Sequence, residues 1–440
     1  MGKEKRTTAF RSYLPYVCLA IAVAWAGFAP GESWRSHAAA HGTLTREARL
    51  AVFDDAWSTI NQRYYDRNFH GLDWDQQRIA YRGLAANAGS NRELYFVLRR
   101  MIASLNDSHT RIFAPEEKFD WWRPRFVTIG ISVKEIGGLP TVVQVERGSG
   151  PHREGIRAGD VLESVDGEPA LSLLRDRLES FDHPAGGASR MRAFATLLEG
   201  LPATTVELSW KTRDDKIKMA KFRRYWQQRE LGLRVRRNGG IAIVEMDAFT
   251  KPIAATFATT LRENLRNVSG MILDFRSNGG GDAEAMTDVA SAFLGAGSSL
   301  GQFTDRFGSS YAMSTRVKSP LVARAIEQTR VPVVVLASER TSSAAEIFIA
   351  ALKATGRARI IGVETCGCVL AIRHRHTLPD GGLLDVSEMD YQTPSGQRLE
   401  RQGVKPDQAV TVDRIDLYAE RDRAMELALI ELKKRHAQLN

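Results

Sequence analysis

Three loops carry residue types suited to acyl or thiol chemistry. In LASERTSSAAEIFIAAL, residues 336 to 352, an apolar run ends and a helical pattern begins at Ser343, among small residues. A hydroxyl on such a turn stands exposed above a sheet, and the next amide, that of Ala344, can serve an oxyanion. The same spacing also describes a plain helix cap at Ser342 or Ser343, because Glu346 lies three residues past Ser343 as in a capping box. In LDFRSNGGGDAEA, residues 273 to 285, three consecutive glycines follow an apolar run and precede a helical pattern. Glycines there let backbone N–H groups approach developing negative charge, or simply make a tight turn. No GxxxxGK[ST] follows, which argues against a nucleotide-phosphate loop. The third loop holds Cys366 and Cys368. In an extended run their Cα atoms would lie roughly 7 Å apart, at the limit for a disulfide, so any bridge is expected to be strained. His374 and His376 complete a Cys-x-Cys-x5-His-x-His series, whose residue types suit zinc but whose spacing matches no structural zinc pattern. A small packed thiol and a redox-sensitive or catalytic Cys368 are the readings left, with no metal and no cofactor expected.

Several elements must position these loops. The 440 residues, 43% apolar and 26% charged, suit two to three packed domains and exclude a disordered or polytopic membrane chain. Three cysteines exclude a disulfide scaffold. The net charge of +9 is spread among acidic residues without basic runs, so no nucleic-acid partner is expected. Lys3, Lys5, Arg6 and Arg11 precede an apolar stretch from Tyr13 to Ala29, and Ala38, Ala39 and Ala40 follow a polar spacer. Residues 1–40 therefore read as a signal peptide or a retained signal anchor. The chain is expected to be exported, periplasmic or extracellular, with membrane association if the anchor is kept.

Residues 41–120 read as a small helical domain, with Phe53, Trp57, Ile60 and Tyr64, then Leu94, Leu98, Met101 and Leu105, at spacings of three and four. Residues 121–225 change to strand-like runs such as FVTIGISV, LPTVVQVE and LPATTVELSWK. Residues 230–440 alternate strand and helix signals and end in an amphipathic helix from about Asp416 to Gln438. The fold class expected is α/β multidomain, with a mostly parallel sheet in the last domain and its ligands beyond the carboxyl ends of the strands.

The segment GSGPHREGIRAGDVLESVDGEPA resembles a PDZ domain, through Ala158, Gly159 and Asp160 before a strand that ends in Val165, Asp166 and Gly167. The resemblance implies that an extended peptide adds to a sheet edge, its terminal carboxylate received at Ile129, Gly130 and Ile131. Residues 171–200 are longer than a minimal PDZ needs and leave the groove helix open. A structural β-domain without ligand is the plain alternative.

Nearly everything after residue 43 is similar to the carboxyl-terminal-processing, or tail-specific, serine proteases and their tricorn-like relatives. The motifs, in family order, are DSHTRIF (107–113), the PDZ segment, LDFRSNGGG, Ser343-Ala344-Ala345-Glu346-Ile347, and YQTPSGQRLERQGVKPD (391–407). The resemblance implies a crotonase/ClpP-like core, Ser343 as nucleophile, and Gly280 and Ala344 amides as the oxyanion hole. The chain departs from the family where a lysine base is expected, since GVETCGCVL places Cys368 at that position. A thiol does not replace a buried neutral amine as base. Tricorn-type relatives use a histidine with a glutamate, and His109 and Glu400 match those positions. The triad implied is Ser343, His109 and Glu400, with His374 or His376 as rival bases and His109 as a loop-fixing residue in the alternative. Partners implied are protein or peptide substrates with extended termini, with a homo-oligomer left open. A peptide-binding pseudoprotease without activity is the competing function.

Overall fold

A computed structural model of the chain describes residues 44–439 apart from 108, 118–119, 121–122, 180–186, 265–267 and 317–330. The export signal read in residues 1–40 lies outside the described residues. Among those described, no helix is long and apolar enough to cross a membrane.

The carboxyl-terminal domain is built on a six-stranded sheet. Strands Ile241–Met246, Gly270–Asp274, Val333–Ala337, Ala358–Gly362 and Gln408–Ala409 run parallel, and Leu233–Asn238 closes one edge antiparallel. These strands are buried on both faces, so alternate residues enter two cores. Ala242, Val244, Met271, Leu273, Val333 and Val335 face one core with Phe348 and Phe293 from the crossing helices, whereas Ile241, Ile243, Ile272, Val334, Leu336 and Ile361 face the other. Helices Lys251–Asn264, Ala283–Leu294 and Ala344–Ala354 supply the first cover. Helix Arg423–Leu439 supplies the second through Ala424, Ala428 and Leu432. The single terminal helix expected from Asp416 is in fact two. Asp413 caps a short helix Arg414–Tyr418, the chain reverses at Glu420 with φ 52°, and Asp422 starts the long one.

The strand Ala358–Gly362 ends on a residue that must be glycine. Gly362 has φ +140°, and a Cβ there would be driven into the carbonyl oxygen of Ala337 on the neighbouring strand. Backbone cannot swing away as a side chain does. Gly362→Ala is expected to destabilise the domain by about 2–4 kcal/mol, read as a lower urea midpoint at unchanged slope.

Helices Arg46–Arg63, Trp74–Ala86 and Asn91–Ala103 form the amino-terminal domain around Phe53, Ile60, Tyr64, Leu94 and Leu98. This domain does not close on itself at residue 120, as the helical reading implies. Its core includes Leu370, Leu378, Leu384 and Val386, and strand Arg111–Phe113 pairs with Leu383–Asp385 of the later domain. Between them lies a β-rich domain with strand order Ile131–Ile136, Leu139–Val145, Val161–Val165, Thr205–Lys211, Ile217–Arg223. The run FVTIGISV, expected as one strand, is two, Arg125–Thr128 and Ile131–Ile136, because Gly130 turns the chain at φ +92°.

Candidate active site

Ser343 sits on the short turn between strand Val333–Ala337 and helix Ala344–Ala354 with φ 56° and ψ −126°. A non-glycine residue there stores strain of about 1–3 kcal/mol and needs its surroundings to hold it. Ser343 N–H donates to the Cys368 carbonyl at 2.8 Å and to Glu346 Oε2 at 3.1 Å. Ser342 N–H donates to the Asn278 carbonyl at 3.1 Å, and Thr341 Oγ1 to the Phe275 carbonyl at 2.8 Å. The Ala344 N–H opens the helix and has no acceptor among the described residues, so it points its dipole at whatever lies beside Ser343.

The glycine loop meets this turn directly. A Cβ on Gly280 would lie 2.7 Å from Ser343 Cβ and 3.0 Å from Ala344 N, so only glycine allows this approach. The Gly280 N–H donates to Asn278 Oδ1 at 2.9 Å, which makes Ala344 the open donor of the two candidate oxyanion amides. Asn278 is fully buried and its Nδ2 has no hydrogen-bond partner among the described residues.

Glu346 reads in the sequence as a capping residue, and the structure gives it more to do. It is fully buried and accepts from Thr365 Oγ1 (2.5 Å), Gly367 N–H (2.8 Å), Cys368 N–H (2.9 Å) and Ser343 N–H (3.1 Å). Burial pushes its carboxyl up to about 7, against the pull of these four donors toward the ionised form. It thus joins the Ser343 turn to residues 365–368. That segment corrects the extended reading of the cysteines. Gly367 folds the chain at φ +68°, the Cα atoms of Cys366 and Cys368 are 5.2 Å apart, and the two form a disulfide. Cys368 is therefore bridged and buried, and its carbonyl holds the Ser343 N–H.

Glu400 meets the far side of segment 365–369, and His109 lies in a loop that touches the Glu400 loop. Glu400 is 4% exposed and accepts from Val369 N–H at 2.7 Å. Burial pushes its carboxyl up to about 8, with the nearby Asp107 charge adding to the rise. Arg401 N–H donates to the Gly367 carbonyl at 2.8 Å. His109 lies in the loop before strand Arg111–Phe113, and Asp107 shapes that loop by accepting from His109 N–H, Thr110 N–H, Thr110 Oγ1 and Ser387 Oγ. Arg401 reaches the Asn106 carbonyl at 3.4 Å, so the loops of His109 and Glu400 touch. Of the rival histidines, His376 Nε2 pairs with Asp55 Oδ2 of the first helix at 2.6 Å, and His374 is exposed. Sequence reasoning missed Asp107, although it stands in the DSHT motif, and missed Asn278, which signals itself only as the residue before the glycines.

In the β-rich domain, Ile129 and Ile131 are buried in its core. Gly130 N–H donates to Thr128 Oγ1 at 2.9 Å, and a Cβ on Gly130 would meet Ser149 Cβ at 2.6 Å. Strand Ile131–Ile136 forms the sheet edge, with helix Gly187–Thr196 packed beside it. Lys134 on this strand forms an ion pair with Glu339 in the loop before Ser343.

Comparison with known proteins points to peptidases. Residues 240–410 match peptidase family S41, and residues 45–103 match the tricorn protease C1 domain. Carboxyl-terminal-processing peptidase 2, chloroplastic, of Arabidopsis thaliana is 28% identical over 380 residues, 83% of this chain and 69% of its own. The carboxyl-terminal-processing protease of Synechocystis sp. is 26% identical, covering 83% of this chain and 82% of its own. Among solved structures, the photosystem II D1 C-terminal processing protease superposes with TM-score 0.54 at 24% identity, covering 83% of this chain and 94% of its own. Mature CPAF does so with TM-score 0.64 at 15% identity, covering 85% and 95%. The two superpositions show a shared fold, mixed α/β with helices at the amino-terminal end. The chain thus carries a peptidase family S41 match over residues 240–410, is similar to carboxyl-terminal-processing proteases, and is a serine-type peptidase.

Proposed function

We propose that this protein is an exported endopeptidase that takes hold of an extended protein tail and cuts it through an acyl-enzyme. Ser343 Oγ attacks the scissile carbonyl carbon while His109 accepts its proton, and Glu400 orients the imidazole and stabilises its charged form. The oxyanion is received by Ala344 N–H, and by Gly280 N–H once that amide turns from Asn278. The carbon–nitrogen bond then breaks as His109 returns the proton to the leaving amine. Water, deprotonated by the same ring, attacks the ester, and the proton goes back to Ser343. The carrying observation is the strained Ser343 turn with an open Ala344 amide and a glycine packed against it.

The β-rich domain is assigned as a PDZ domain. Its edge strand Ile131–Ile136 and neighbouring helix Gly187–Thr196 support a groove for strand addition. A carboxylate received at Gly130 displaces the Thr128 hydroxyl from its amide. The signal-like residues 1–40 support export. The occupied Gly280 amide favours one competing reading, a binder of extended segments that does not cut them.

A reporter protein with an unstructured carboxyl-terminal tail tests both. The expected result is truncation within the tail, a tail-less reporter left intact, and a fluorophosphonate adduct on Ser343 by mass spectrometry. Tail binding without cleavage or adduct would establish the competing reading.

A further inference from the structure

The turn Thr365–Val369 touches both sides of the machinery proposed above. Its Cys368 carbonyl receives Ser343 N–H, and its Gly367 and Cys368 amides share Glu346 with Ser343. Its Val369 amide donates to Glu400, and its Gly367 carbonyl receives Arg401 N–H. From this placement we infer that the Cys366–Cys368 disulfide is the positioning element that fixes Ser343 in its reactive conformation. The inference rests on Ser343 as the nucleophile.

The physical reason is volume in a packed site. Two unbonded sulfurs stand about 1.5 Å or more further apart than the two atoms of a bridge. Cys366 and Cys368 are 6% and 3% exposed, and a close-packed interior has no slack to absorb that change. The turn is enclosed on each side. Cys366 N–H is bonded to the Thr341 carbonyl, and a Cβ on Gly367 would lie 3.0 Å from the backbone of Arg401, Gln402 and Gly403. Parting the sulfurs therefore moves the Cys368 carbonyl and the amides on Glu346, which are the groups that hold Ser343 N–H. A shift of order 1 Å at a nucleophile costs about 100-fold in rate. No sulfur reacts with substrate. Forming the bridge passes two electrons and two protons from the thiols to an oxidised disulfide donor, which leaves as a dithiol. The nucleophile is thus set correctly only where such donors prevail, outside the cytoplasm.

The test compares the oxidised full-length protein with the same protein reduced by dithiothreitol, its thiols counted by mass spectrometry, and with the Cys366→Ser/Cys368→Ser double variant. Reduction is expected to lower kcat for tail cleavage 10-fold or more while KM stays within twofold, and oxidised glutathione is expected to restore it. The double variant stays at the reduced level whatever the thiol conditions. Deuterium exchange read by mass spectrometry provides a measurement independent of activity. The peptide spanning Ser342–Glu346 is expected to exchange faster on reduction, while the strands Gly270–Asp274 and Val333–Ala337 keep their protection. If the oxidised protein cleaves nothing yet this local change appears, the catalytic reading fails and the positioning stands. Unchanged kcat and exchange after full reduction, a double variant as active as the oxidised protein, or protection lost evenly across the sheet would each overturn it.

Discussion

Ser343→Ala is expected to lower kcat by about 10⁴-fold or more and to abolish fluorophosphonate labelling, with tail binding retained. The substitution removes one oxygen and nothing that holds the turn. Ser343 is held through its backbone N–H, by the Cys368 carbonyl and Glu346, and alanine keeps that amide. Alanine also keeps the Cβ that makes φ 56° costly, so thermal stability should stay within about a degree or two. Ser343→Gly separates strain from chemistry. It is equally inactive, yet glycine accepts positive φ freely, and the variant should be more stable than the parent by about 1 kcal/mol. A gain in stability with total loss of activity marks a residue kept strained for its function. An ordinary helix cap behaves in the opposite way, since losing it costs about 1 kcal/mol and leaves activity alone.

How far the sequence reveals this site depends on how local each feature is. The strands of the parallel sheet are readable because burial on both faces leaves near-continuous apolar runs, and each strand-to-helix loop follows from where the run stops. Ser343 and the three glycines fall on such loops and are found that way. Glu346 is visible only as a cap because its other partners, Thr365, Gly367 and Cys368, lie about twenty residues on and approach through tertiary packing. The disulfide is hidden for a related reason. Spacing alone suggests an extended pair, and nothing in the letters states that Gly367 turns left-handed against Arg401–Gly403. The helical domain reads as self-contained since its periodicity is complete, yet Leu370, Leu378, Leu384 and Val386 fill its core from more than 250 residues away. That long-range packing is also what carries the His109 loop to the Glu400 loop, through Ser387 on Asp107 and Arg401 on the Asn106 carbonyl. Local pattern names the candidates here, and only the fold brings their loops together.

His109→Ala is expected to reduce kcat/KM by about 10³-fold or more, since the seryl oxygen loses its proton acceptor and the leaving amine its donor. His109→Gln should do the same, because an amide fills the space and bonds but takes no proton. The two variants thereby distinguish a base from a loop-fixing histidine, whose glutamine replacement would keep most of the rate. Glu400 supplies the second half of the expectation through pH. Its carboxyl is pushed up to about 8 by burial beside Asp107, so it is neutral below that pH and charged above it. A neutral carboxyl does little to stabilise an imidazolium, and activity should fall as pH drops through about 8, well above the ordinary histidine value near 6.5. In the proposed triad the apparent value belongs to Glu400 and His109 together. Glu400→Gln removes one partner and should cost about 10–100-fold while moving the acidic limb down toward that of imidazole alone. A profile unchanged by Glu400→Gln, or a folded His109→Ala variant retaining a tenth of the activity, would assign the proton transfer to another group.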